Sequence, residues 1–202
     1  MRPKLLLAVL VLVCAAAFPL TAASVCDSQP GNLVTNCGFE TGDFTGWTPG
    51  GNWEFASVVG GAFGPYPGAN SGSYYAVLGP VGSDGTLSQT LTTIPGTEYN
   101  VSFYLDAVGD NNSDFNAYWN GVPFAGWVDP TTIPPAGGPP VWTQYLFTVT
   151  GTGSDTITFG FRDDPAYLAL DDVYVGAVPE PGTLSLLIAG IGLVLLGRRR
   201  HA

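Results

Sequence analysis

Cations are what this 202-residue sequence has least of. The six basic residues are Arg2, Lys4, Arg162, Arg198, Arg199 and Arg200, so the stretch 24–177 keeps one arginine against fifteen acids, a net −14. Such a body cannot neutralise a phosphate backbone, which excludes nucleic acid as a partner, and an anionic lipid surface repels it. The one histidine is His201. A Ser-His-Asp or Cys-His mechanism and a His-ligated zinc are thereby excluded from the body. A sustained 3.6-residue apolar period is also missing, which argues against a helical fold. Paired carboxylates of the glycosidase kind carry no signal, because fifteen acids make a close pair inevitable. With no lysine or histidine and one arginine to assist catalysis, the body reads as a binder or a structural element, not an enzyme.

Long apolar runs occur at the two ends. Arg2 and Lys4 precede the run 5–20, and Thr21-Ala22-Ala23-Ser24 follows it. That order is an export signal peptide, expected to be cut after Ala23. At the other end the uncharged segment 183–197 precedes Arg198-Arg199-Arg200. At a rise of ~1.5 Å per residue it spans about 22 Å, short of a ~30 Å hydrocarbon core. It inserts if the bilayer thins and the arginines snorkel. The expectation is a single C-terminal transmembrane helix, with the arginines cytoplasmic and the body outside. Val178-Pro179-Glu180-Pro181, the short apolar segment and the terminal arginine cluster together resemble the PEP-CTERM sorting signal of Gram-negative bacteria. The resemblance implies recognition by an exosortase, a membrane transpeptidase, with cleavage near Pro179, Glu180 and Pro181 and delivery to the cell surface or beyond. Two prolines suit an extended, exposed recognition segment. The chain thus divides into a signal peptide 1–23, a body 24–177 and a sorting signal 178–202 (motif 178–182, helix 183–197, basic tail 198–202).

Removing the signal peptide leaves Cys26 and Cys37. Export places them in an oxidising compartment, where a disulfide is expected to pin the N-terminal segment to the first strand. The body itself alternates with period 2. Tyr99, Val101, Phe103 and Leu105 alternate with Asn100, Ser102, Tyr104 and Asp106; Tyr145, Phe147 and Val149 with Leu146 and Thr148; Ile157, Phe159 and Phe161 with Thr156, Thr158 and Gly160. Further strands are expected at 53–59, 73–78, 85–94, 115–119, 124–128 and 166–175, separated by Gly, Pro, Asn and Asp clusters. Many short antiparallel strands with such turns predict an all-β jelly-roll β-sandwich.

Asn36-Cys37-Gly38-Phe39-Glu40, Gly46-Trp47 and Leu170-Asp171-Asp172-Val173-Tyr174-Val175 resemble the pattern of galactose-binding-like jelly rolls, among them several carbohydrate-binding module families. Counted straight along the last strand, Ala169, Asp171, Val173 and Val175 share a face, which would turn Asp171 into the core. A buried carboxylate needs a partner, and Ca²⁺ takes carboxylate and carbonyl oxygens. The resemblance implies that Glu40 and Asp171, with Asp172 as the alternative, hold a structural Ca²⁺ tying the chain's two ends together. Asp110-Asn111-Asn112-Ser113-Asp114 starts like a calcium loop, but Phe115 stands where glycine belongs, so a solvated turn is expected. Sugars stack on flat aromatic faces beside amides and carboxylates. Asn116, Tyr118, Trp119, Asn120 and Trp127 cluster around one hairpin and are the expected glycan contact. Two functional readings follow: a surface-sorted module that binds extracellular polysaccharide, or a structural envelope or matrix protein with no small ligand.

Overall fold

The computed structural model describes residues 23–107, 113–124, 141–164 and 166–179. The expected signal peptide and transmembrane helix lie outside them. A short helix, α1 (Val25–Ser28), is capped by Ser24, whose Oγ accepts from the N–H of Asp27. Ten strands follow: β1 (Thr48–Gly51), β2 (Ala56–Gly60), β3 (Tyr74–Leu78), β4 (Gly85–Thr92), β5 (Glu98–Ala107), β6 (Ser113–Trp119), β7 (Val122–Pro123), β8 (Thr143–Thr150), β9 (Ser154–Asp163) and β10 (Leu168–Ala177). They form two sheets, β1-β4-β9-β6-β7 and β2-β3-β10-β5-β8, with every pairing antiparallel.

The alternation read from the sequence places the core. Tyr99, Val101, Phe103 and Leu105 of β5 are buried against Ile157, Phe159 and Phe161 of β9 in a single cluster. Phe103 is its hub, with ring centroids 5.0 Å from Phe159, 5.5 Å from Tyr145 and 5.7 Å from Phe115. Trp47 is buried too, stacked on Phe39, and its indole N–H donates to the Asn36 carbonyl. The short β1, Thr-Pro-Gly-Gly, has one strand-favouring residue, Thr48, and is built by pairing with β4. The expected strand at 124–128 meets the structure at Phe124, which follows β7; the remainder falls outside the described residues.

The expected disulfide joins Cys26 to Cys37. Cys37 lies in a turn and not in a strand, because Asn36 and Phe39 adopt positive φ there. The bridge therefore fastens α1 to a turn that runs beside β10. The N–H of Leu33 donates to the Val175 carbonyl, and the N–H of Val173 to the Cys37 carbonyl.

Residues 61–73 pass over part of the outer face of the β2-β3-β10-β5-β8 sheet. There Tyr66, Tyr75, Val77 and Ala169 form a second buried cluster, with Trp142 edge-on to Tyr75 and its indole N–H bonded to the Gly68 carbonyl. Tyr66 anchors the strap by donating to the Tyr167 carbonyl.

Candidate functional site

The last strand does not keep one phase. The register of β10 against β5 shifts between Asp171 and Tyr174, and Asp172 has φ 49°. This bulge overturns the straight count along the strand. Val173 and Val175 do enter the core, but Asp171 lies with Ala169 on the opposite face, beneath the strap. It is buried all the same, fully, and so is Asp172 nearly so.

Three acids converge on residues 70–74. The Asp171 carboxylate accepts from the N–H groups of Asn70 (2.9 Å), Ser71 (3.3 Å) and Asp172 (2.7 Å). The Asp172 carboxylate accepts from the Asn70 amide, the Ser71 hydroxyl and the Cys26 N–H. Glu40 Oε1 accepts from the N–H groups of Ser73 (2.8 Å) and Tyr74 (3.0 Å), while Glu40 Oε2 is buried without a hydrogen-bond partner. Gly72 makes this approach feasible: its φ is +69°, and a Cβ there would lie 2.2 Å from Glu40 Oε1. Burial, then the neighbouring Asp172 charge, pushes the Asp171 carboxyl up to about 8, against the pull of the three amides. The described arginine, Arg162, is taken by Asp164 at 2.7 Å. The three acids bring carboxylate oxygens, the kind of ligand a hard cation takes, and one of these oxygens, Glu40 Oε2, has no hydrogen-bond partner, but the three carboxylates do not come within 4.8 Å of one another. Among the described residues, the set of three Cys, Asp, Glu or His ligand atoms that falls within 4.8 Å of one another is Cys26, Asp27 and Cys37, and its two sulfurs are bonded to each other.

The hairpin chosen from the sequence does not make one platform. Asn116 and Tyr118 face outwards on β6, whereas Phe115, Ala117 and Trp119 are buried in the core. Strand alternation forces this separation. Trp119 presents no ring face for stacking, although its indole N–H is buried with no acceptor. Asn116 donates to Asp114. Asn120, at φ 51° before Gly121 at 77°, makes the tight turn. Its amide donates to Asp155 (2.6 Å) and accepts from the N–H of Thr156 (2.8 Å). Trp127 lies outside the described residues, as do Glu180, Pro181 and residues 110–112; Pro179 is exposed at the end of the described chain.

A different aromatic surface is open. Beyond the strap, the outer face of the β10-β5-β8 half-sheet carries partly exposed Tyr104 and Tyr174 beside Asn100, Gln144, Leu146 and Thr148. In register, Tyr104 faces Gln144, Ser102 faces Leu146 and Tyr174, and Asn100 faces Thr148 and Gly176. Leu146 is 68% exposed. Gly176 admits the Tyr174 ring, since a Cβ there would meet its hydroxyl at 1.9 Å. Exposed Glu98, two residues before Asn100 and in the same phase, puts a charge at the end of this face. Asn100, Ser102 and Tyr104 were visible in the sequence as the outward half of an alternation, and that phase is the signal that could have found it.

Residues 177–200 match the PEP-CTERM protein-sorting motif. Nothing among the curated proteins matches the chain. Among solved structures, TmCBM61 in complex with β-1,4-galactotriose is similar at 20% identity and a TM-score of 0.50, over 73% of this chain and 99% of that one. The CBM22-1 xylan-binding domain from Paenibacillus barcinonensis Xyn10C aligns at 19% identity and a TM-score of 0.49, over 74% and 97% of the two chains. The enzymatically active domain of bacteriophage CBA120 tailspike protein 4 aligns at 19% identity and a TM-score of 0.49, over 73% of this chain but 21% of that one. At these identities the likeness is one of fold: the body is a jelly roll of the carbohydrate-binding-module type.

Proposed function

We propose that this chain, a sorting motif on a carbohydrate-binding-module-like jelly roll, is an exported protein that an exosortase processes and that binds neutral polysaccharide at the cell surface. The observation that carries the glycan reading is the open outer half-sheet on which Tyr104 and Tyr174 stand among neutral polar side chains. Aromatic rings there offer apolar faces to sugar rings, and Asn100, Gln144 and Thr148 supply neutral hydrogen-bonding groups. Binding without catalysis is supported by a body with no lysine or histidine and an arginine held by Asp164. The named ligands of two similar structures, a galactotriose and xylan, set the classes to try first. The test is a glycan microarray and polysaccharide pull-down with the full chain. Tyr104→Ala with Tyr174→Ala lowers binding at least about tenfold, roughly 1.4 kcal/mol, with the fold retained. An array with no binder, or binding untouched by the double change, overturns this reading and leaves the structural-envelope one.

Ca²⁺ at Glu40 and Asp171, with Asp172 beside them, is the second part of the proposal. It is supported by the free Glu40 Oε2 and by buried acids with no described cation at hand. Bound there it would neutralise the knot and hold residues 70–74 to the chain's two ends. Treatment with EDTA lowers Tm, and Ca²⁺ restores it; an unchanged melt removes the ion from the account.

A further inference from the structure

We infer that the amino group freed by export cleavage after Ala23 is a structural cation of the mature protein, lodged by Asp27 and Asp171 where α1 meets the last strand. The inference rests on the expected cut and stands apart from the glycan and Ca²⁺ readings.

Residue 24 is docked. Ser24 is 1% exposed, between exposed Ala23 and Val25. Its socket is Gly38, in the turn that the disulfide holds. A Cβ on Gly38 would lie 2.3 Å from Ser24 Cβ, 2.5 Å from its Oγ and 3.6 Å from Asp171 Oδ1. The Ser24 side chain and the Asp171 carboxylate thus meet over one glycine. On its other side Ser24 Oγ donates to Asp27 Oδ2 at 2.9 Å. The next two N–H groups are fixed as well. That of Val25 donates to Ser71 Oγ at 2.7 Å, and that of Cys26 to Asp172 Oδ1 at 3.3 Å.

The chemistry follows from what the cut creates. A protease takes its target bond from an exposed segment, whereas the bond after Ala23 runs straight into a buried residue. Cleavage therefore precedes docking. Hydrolysis consumes one water, leaves a carboxylate on Ala23 and turns the amide nitrogen of Ser24 into an α-ammonium, charged at pH 7. That nitrogen is two bonds from the Cβ seated against Gly38, so the new charge arises beside Asp27 and Asp171. Hydrogen bonds from a charged donor to a carboxylate are the strong kind. In the uncut chain the same position carries an uncharged amide with a single N–H. Arg162 does not compete for these acids, because Asp164 holds it. Cleavage thus supplies the acidic knot with a counter-charge as well as removing the leader.

The test exploits the absence of lysine. Once Lys4 leaves with the signal peptide, the α-amine is the one primary amine of the chain. The mature protein is purified in detergent from an exporting host without exosortase, and EDTA keeps Ca²⁺ out of the comparison. N-terminal sequencing begins at Ser24. An acetylating ester at pH 7 modifies the native chain at least about tenfold more slowly than the urea-unfolded one. Chain acetylated while unfolded and then refolded melts about 3 °C or more below the unmodified protein. Amidination adds similar bulk along the path that Ala23 occupied but keeps the charge, and it leaves Tm within about 1 °C. A first residue other than Ser24, equal labelling of native and unfolded chains, or acetylated and amidinated chains that melt alike overturns the proposal.

Discussion

Asp106 shows how far a single side chain can depart from its ordinary chemistry in this fold. It is fully buried on β5, near Tyr75, and burial pushes its carboxyl up to about 6, against weak opposition from the backbone of Val141 and Ala107. The unfolded chain releases that proton near 4, so the native state binds more protons between those values. Stability from this group is therefore full below about pH 4 and is lost as pH rises towards 6, by about 3 kcal/mol. Chemical denaturation of wild type and Asp106→Asn across that window checks it: the variant's curve loses this slope, and parallel curves would refute it. Asp155 sits at the opposite extreme. It is also buried, which opposes ionisation, yet donors from Thr93, Thr152 and Asn120 outweigh burial and hold the carboxyl well below the usual range. Two buried aspartates thus differ in sign because the donors around one outweigh burial and those near the other do not. Sequence could not separate them, since beside the local Thr152 the donors to Asp155 come from the distant Thr93 and Asn120.

At the scale of elements, legibility followed the regularity of the backbone. Strands β5, β8 and β9 alternate without interruption, and their inward residues were readable one by one. The β10 bulge was not, since one extra residue swaps faces and leaves no mark in a run such as Leu-Asp-Asp-Val. Its result, a buried Asp171, was legible; its direction was not. Strand β1 was invisible because most of its residues are turn formers drawn into a ladder by β4. The outer-face tyrosines went unread because the hairpin's tryptophans carried more aromatic weight. Gly72 gives the prediction for this level. A methyl group there collides with Glu40 and must adopt positive φ, so Gly72→Ala lowers stability by about 2 kcal/mol or more. Thermal melts with Gly72→Ala in a Glu40→Ala background separate the two causes: most of the loss disappears if the collision dominates.

At the scale of the whole molecule, two readings were legible: the sorting motif, from Val-Pro-Glu-Pro with its basic tail, and the sandwich, from its turn chemistry and alternation. Exposed Pro179 begins the segment expected to meet the processing enzyme. Replacing Pro179, Glu180 and Pro181 by alanine leaves the tail uncleaved in an exosortase-bearing host, read as a retained C-terminal mass; ordinary cleavage would show the motif to be idle.

The position of β10 has a mechanical consequence. It is the middle strand of its sheet and the last described one, paired with β5 along its length and with β3 at Leu168–Leu170. Tension applied at its C-terminal end is therefore borne first by the ladder to β5 on one side and by the bonds to Leu33 and Cys37 on the other, and the β3 ladder is reached last. A tether attached to an outer strand could instead unzip the sheet one bond at a time.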